Sequence, residues 1–238
     1  MIKHLLIILF VFAGYNSVSQ TIIPRFESLG VNEGLPHSSV YSIIQDKKGF
    51  MWFGTADGLC RYDGGELKTF KYTARYEGDE VNNFVRGKIL EDKTGNIWYC
   101  NESGIYKWDV LKEVVTREKS FDKKKFGNAD FQAIHLDAKN GMWIFNYLQG
   151  MYEFNILTGA FTQYSLPLIN NSAAILTYVT VDNAGNFWIK TGTATDPFIF
   201  FNLKSRSYSF QFVKDPPQAI FFGKKNPVLA YEDRLVYT

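Results

Sequence analysis

Asp46-Lys-Lys-Gly49-Phe-Met-Trp52, Asp92-Lys-Thr-Gly95-Asn-Ile-Trp98, Asp137-Ala-Lys-Asn-Gly141-Met-Trp143 and Asp182-Asn-Ala-Gly185-Asn-Phe-Trp188 are four copies of one phrase. Their tryptophans lie 46, 45 and 45 residues apart, and Asp precedes Trp by six residues every time. Gly sits three before Trp in three copies; in the third it slips by one place and Asn140 stands there instead. A period of this length marks stacked supersecondary units, each burying its apolar face against a neighbour.

Working outward, each unit carries further strand signals. A β-branched or aromatic run precedes each Asp: Val40 to Ile44, Phe84 to Leu90, Phe131 to Leu136, Ile175 to Val181. A short strand starts at each Trp. A third, opened by Gly, follows in units one to three: Gly58 to Tyr62, Gly104 to Trp108, Gly150 to Phe154. A last strand closes most units: Leu67 to Tyr72, Phe161 to Tyr164, Tyr208 to Phe212. Four short strands per period, joined by turn residues, predict an all-β propeller of four-stranded antiparallel blades. Asp and Gly belong to the first hairpin of each blade, where Asp accepts turn N–H groups and Gly supplies positive φ. Trp buries its face between adjacent blades. Repetition assigns all four Asp and all four Trp to the fold, not to one site.

The ends read differently. Arg25 to Leu29 resembles the outer strand of a blade, so the chain is expected to enter on such a strand. Ala219 to Phe222, Val228 to Tyr231 and Leu235 to Tyr237 read as three strands of a degenerate fifth blade without the anchor phrase. Two expectations stay open: a small closed ring of five blades, or the front piece of a longer propeller. Residues 1–19 have a basic start at Lys3 and His4, an apolar run from Leu5 to Ala13, and small Ser17 and Ser19. That order predicts a secretory signal cleaved after Ser19, with residues 20–238 forming the propeller repeats. The mature chain is then expected to be exported to the periplasm or beyond, with no membrane span.

Net charge is +2, which gives no electrostatic footprint for nucleic acid. No cofactor or metal is implied: Cys60 and Cys100 are forty residues apart, and the other ligand candidates are His4, His37 and His135. A catalytic pairing of Cys60 with His135 is weaker than a packed thiol. Cys60 and Cys100 occupy different strand positions of adjacent blades, which disfavours a disulfide and leaves their pairing open.

The segment from Gly34-Leu-Pro-His-Ser-Ser-Val40 through Asp46, Gly49 to Thr55 and Asp57-Gly-Leu-Cys-Arg-Tyr-Asp63 resembles the two-component regulator propeller repeat, closely in unit one and more loosely in units two to four. That resemblance implies seven-bladed propellers, often in tandem, forming the periplasmic sensor half of histidine kinases and hybrid two-component receptors. Many such receptors detect carbohydrates. An immunoglobulin-like domain, membrane helix, kinase and receiver usually follow in that family; none is encoded in these 238 residues, so the resemblance carries the expectation of a truncated or N-terminal piece and leaves open whether this copy is a fragment.

The resulting expectation is a non-catalytic sensing module. Its partners are a small molecule or glycan, other receptor segments or a dimer partner. A free-standing secreted scaffold and a glycan-active enzyme are the alternatives. Glycoside hydrolysis needs paired carboxylates, and one Asp per turn does not supply them. Any ligand belongs at the lead-ins to the first strands, whose residues include His37, Ser38, Asn82, Asn83, Arg86, Asn128, Asp130, Asn170 and Asn171. No catalytic, ligand-binding or metal residue is singled out among them.

Overall fold

The computed structural model describes residues 28–74, 81–85, 87–120, 131–146, 150–167, 176–191, 198–211, 228–231 and 234–237. Among these the fold is all-β, with one 3-10 turn at Val31–Glu33. Blade 1 comprises β1 (Val40–Gln45), β2 (Met51–Thr55), β3 (Gly58–Tyr62) and β4 (Leu67–Phe70). Blade 2 comprises β5 (Leu90–Glu91), β6 (Ile97–Asn101), β7 (Gly104–Asp109) and β8 (Val114–Arg117). Blade 3 comprises β9 (Phe131–Leu136), β10 (Gly141–Asn146), β11 (Gly150–Asn155) and β12 (Phe161–Tyr164). Blade 4 comprises β13 (Leu176–Val181), β14 (Phe187–Thr191), β15 (Phe198–Asn202) and β16 (Ser207–Gln211). Each is an antiparallel meander in sequence order. A two-stranded sheet follows, of β17 (Val228–Tyr231) and β18 (Arg234–Tyr237). First strands neighbour one another: β5 against β9, β9 against β13, β13 against β17. β17 therefore stands where a first strand belongs, whereas sequence order made it a second.

The anchor phrase builds a closed turn that recurs in every blade. In blade 1 the Asp46 Oδ1 accepts the N–H groups of Lys48 and Phe50, both at 2.9 Å, and its Oδ2 accepts Trp52 Nε1 at 2.7 Å. Asp92, Asp137 and Asp182 repeat this, with indole bonds of 2.8, 3.1 and 3.3 Å. A carboxylate is needed because one oxygen serves the turn while the other serves the indole. Gly49, Gly95 and Gly185 have φ of 93°, 90° and 83°; in blade 3 Asn140 takes that role at 66°. Asn tolerates the left-handed region better than most residues, so the slipped glycine leaves the turn intact.

Packing between blades follows from strand alternation. Trp52 is fully buried with Phe70 and Leu59 of its own blade and Ile97, Tyr99, Tyr106 and Trp108 of blade 2. Trp98 joins Phe131, Met142, Tyr152 and Phe154 of blade 3, and Trp143 joins Phe187, Ile189, Ile199 and Phe201 of blade 4. At each of these three seams one blade supplies the Trp and the next blade receives it. Aromatic pairs cross these seams, with ring centroids 4.6 Å apart for Trp52 and Trp108, 5.4 Å for Trp143 and Phe201, and 6.1 Å for Trp98 and Phe154. At the turn end, Lys47 Nζ donates to Asp92 O at 2.7 Å and Lys93 Nζ to Ala138 O at 2.6 Å, tying successive first hairpins.

Several expectations need correction. The run Phe84 to Leu90 is not one strand: only Leu90 and Glu91 pair with β6. Gly87, at φ 83°, breaks the extension, and the N–H groups before β5 bond across the seam instead. Val85 N donates to Thr55 O at 2.9 Å, and Ile89 N to Ser42 Oγ at 3.0 Å. Val115 and the aromatic run Phe198–Phe201 lie on strands β8 and β15, which no expectation covered. Ser28 and Leu29, the described part of the expected entry strand, are not extended into a sheet. Residues 1–19 and the segment from Ala219 to Phe222 lie outside the described residues.

Candidate functional site at the lead-in end

Strand direction divides each blade into two ends. The Asp turns and the turns between third and fourth strands share one. The other gathers the β2–β3 type hairpins and the crossovers that lead into each first strand, because Val40 pairs with Thr55 and Thr55 with Gly58. Loops of this second end, held on rigid sheets, are the natural place for binding.

Of the four described polar lead-in residues, His37, Asn82 and Asn83 hold the loops themselves. His37 Nδ1 accepts Ser39 N at 2.9 Å. Asn82 Oδ1 accepts Phe84 N at 2.9 Å, and Asn83 Oδ1 accepts Tyr72 N at 2.7 Å. Buried Asn101 donates to both Asn82 O (3.1 Å) and Phe84 O (2.9 Å), while its Oδ1 accepts Ser103 N. These bonds close the crossover from blade 1 into blade 2. Ser38 is exposed beside them. Arg86, Asn128, Asp130, Asn170 and Asn171 lie outside the described residues.

The residue that the sequence reading did not name at this end is Tyr41. β1 is irregular between Val40 and Ser42, so Tyr41 is an extra residue opposite β2. A bulge re-aims a side chain out of the pleat. Tyr41 is 49% exposed and meets the half-buried Phe84 edge-on, with ring centroids 4.9 Å apart at 84°. The pair bridges the lead-ins of blades 1 and 2, next to His37, Ser38 and Asn82 in the chain. A half-exposed ring held by a second ring offers a flat apolar surface.

No other grouping with a chemical role forms among the described residues. Cys60 and Cys100 are both buried and are not joined by a disulfide. Cys100 packs into the seam of blades 2 and 3 and donates to Phe131 O at 3.5 Å. Cys60 lies beside Thr69, and burial pushes its thiol up. His135 belongs to blade 3 and faces Phe187 at 6.0 Å, so it does not join Cys60. No group of three or more His, Cys, Asp or Glu is arranged to hold a metal among the described residues.

The turn geometry can now be set beside known proteins. Residues 34–57 match the sequence profile described as "Two component regulator propeller". This segment resembles a two-component regulator propeller repeat. Its Asp46–Trp52 phrase is the closed turn described above. The chain is 40% identical over 65 residues to Histidine kinase P4 of Formosa agariphila, a stretch covering 27% of this chain and 5% of the kinase. It is similar in fold to the extracellular domain of what is described as a hybrid two component system of Bacteroides thetaiotaomicron. That match has a TM-score of 0.56 and 20% identity, and covers 84% of this chain and 28% of the other. A further extracellular domain from that organism, also described as hybrid two component, gives a TM-score of 0.49 at 20% identity over 78% of this chain and 32% of the other. The chain therefore spans under a third of the solved ectodomains and a twentieth of the kinase it matches. The propeller repeat and the four-bladed meander together bear out the expected family resemblance and β-propeller fold class. No helix among the described residues is long and apolar enough to cross a membrane.

Proposed function

We propose that this chain is a ligand-sensing propeller module of an extracytoplasmic two-component receptor, without catalytic activity of its own. The observation that carries this reading is that the repeat spends its recurrent carboxylates on structure. Asp46, Asp92, Asp137 and Asp182 each accept two turn N–H groups and an indole N–H, which leaves none poised for proton transfer. The propeller repeat at residues 34–57 and the similarity to a histidine kinase favour sensing over turnover.

The ligand is a carbohydrate, stacked on Tyr41 with hydroxyl contacts to the flanking lead-in residues. Tyr41 is a half-exposed aromatic at that end, and a sugar ring face suits such a platform. Titrating the purified protein with a panel of oligosaccharides by calorimetry tests this. Binding should be saturable, and Tyr41→Ala should weaken it about tenfold, or ~1.4 kcal/mol, at unchanged melting temperature. Turnover of any glycan in the panel would replace the reading with an enzymatic one. Binding that ignores Tyr41→Ala would move the site elsewhere while leaving the sensing role standing.

A further inference from the structure

The buried aromatics of the blades do not by themselves fix which blade meets which. Every seam presents a Trp from one side and apolar strand residues from the other. The turn-end rim is different. Arg61 on β3 pairs across from Trp52, and its guanidinium lies 5.8 Å over that indole. It reaches Glu113 of blade 2 at 3.2 Å, which also accepts Lys68 at 2.6 Å. Glu113 has φ 51° and stands just before β8.

Two blades later the same register positions carry opposite signs. Glu153 on β11 pairs across from Trp143 and reaches Arg206 of blade 4 at 2.7 Å. Arg206 has φ 57° and stands just before β16. Its guanidinium lies 4.5 Å over the Trp143 ring. Both seams therefore place a cation over the buried indole, but blade 1 supplies its own while blade 3 takes it from blade 4. At the middle seam Lys107 lies 5.8 Å over Trp98, and the matching turn position is Gly159, without charge.

We infer that these rim pairs are a pairing code that selects the partner of the blade 1 and blade 3 faces, within the chain or from a second copy. The blade 1 face accepts a Trp-receiving blade whose turn is acidic; the blade 3 face accepts one whose turn is basic. Mating blade 1 with blade 4 would set Arg61 against Arg206. Mating blade 3 with blade 2 would set Glu153 against Glu113. Such like-charge contacts at a partly desolvated rim exclude wrong partners, a need that is acute where repeats resemble one another.

The test transplants the code in the full chain. Glu153→Arg and Arg206→Glu alone should each lower the melting midpoint by roughly 4 °C or more. The triple variant E153R/T162K/R206E copies the Arg61–Lys68–Glu113 arrangement into the last seam, since Thr162 pairs with Glu153 as Lys68 does with Arg61. It should recover part of the midpoint lost by the single variants, and not all of it, because Arg206 also lies 3.5 Å from Asp137, which would face the new carboxylate. It should also make blades 2 and 4 interchangeable to blade 1, so refolding from urea should give about threefold less monomer by light scattering after gel filtration than wild type, the rest as exchanged oligomers. A triple variant as unstable as the single ones would overturn the charge matching. One that refolds to monomer as well as wild type would overturn the pairing role. Should the charge-reversed variants fail to fold, E153Q/R206Q removes the code without repulsion, and its monomer yield must likewise fall.

Discussion

Replacing Asp92 by Ala removes the acceptor for five donors at once. They are Thr94 N (2.8 Å), Thr94 Oγ1 (2.7 Å), Asn96 N (3.0 Å), Asn96 Nδ2 (3.0 Å) and Trp98 Nε1 (2.8 Å). Their costs differ because water can reach only some of them. Thr94 is exposed and Asn96 half-exposed, so their donors re-bond to solvent and lose about 1 kcal/mol each for the two backbone groups. Trp98 is 3% exposed, so its indole N–H is stranded in the seam of blades 2 and 3 at a cost of about 1–3 kcal/mol. The expected loss is therefore about 3–5 kcal/mol, a large part of the ~5–15 kcal/mol available to a folded domain. Asp92→Asn should fall between, since its single amide oxygen cannot serve both turn and indole.

The cycle with Trp98→Phe isolates the stranded group. In the wild-type background Trp98→Phe removes a bonded donor; in the Asp92→Ala background it removes an orphan. The two losses should then be non-additive by about 1–2 kcal/mol, read from urea unfolding followed by far-ultraviolet circular dichroism. Additivity within about 0.5 kcal/mol would refute the reasoning and reduce the Trp98–Asp92 bond to an incidental contact.

Other outcomes follow from the same geometry. Burial holds His135 below its ordinary 6.5, against the opposing pull of Asp137 and Asp182. The unfolded chain therefore takes up the proton first, so stability should fall as pH drops through 6.5 until folded His135 titrates; His135→Gln should flatten urea midpoints across that window. Burial pushes the carboxyls of Asp92 and Asp137 up, but their hydrogen bonds outweigh it and hold both below 3.8. Their share of stability should persist at neutral pH and be lost as pH falls through those lowered values, which an acid titration of circular dichroism would show together with loss of the slope in Asp92→Asn. Gly54→Ala would put a Cβ 2.7 Å from Val85 Cγ1, so it should cost about 1–3 kcal/mol, and Val85→Ala should relieve it in the double variant.

What the sequence disclosed and what it hid divide along physical lines. The Asp, Gly and Trp phrase was legible because each member answers a local demand: an acceptor, a positive φ, a large apolar face. Asn140 standing in for glycine was legible for the same reason. The partner of the indole N–H was not, because an Asp six residues earlier is close only once the hairpin has closed. The β5 run misled because Phe84, Val85 and Ile89 have strand-like side chains, while Gly87 and the neighbouring blade decide the backbone. The rim pairs were hidden too, as their members lie 52 and 53 residues apart and meet only across a seam.

The lead-in site was the least legible part, and the repeat explains why. A residue in every unit cannot distinguish one blade from another, so the recurrent phrase reports the scaffold. Selectivity has to come from positions that the repeat places alike and fills differently. The extra residue at the head of the first strand is such a position. Eleven residues before the tryptophan stand Tyr41, Gly87 and Thr177, and both β1 and β13 shift register there. Tyr41 spends the bulge on an exposed ring, whereas Gly87 spends the same place on a left-handed backbone and presents no side chain. A Cβ at Gly87 would lie 3.3 Å from Gln132 of blade 3, at a φ that side chains rarely adopt. Gly87→Ala should therefore destabilise the second lead-in by about 1 kcal/mol or more, measured by thermal unfolding, without touching the Tyr41 platform. If the bulge position only shaped the backbone, Tyr41→Ala would cost stability as Gly87→Ala does; if it presents a ring to a ligand, Tyr41→Ala should leave stability nearly unchanged and alter binding alone.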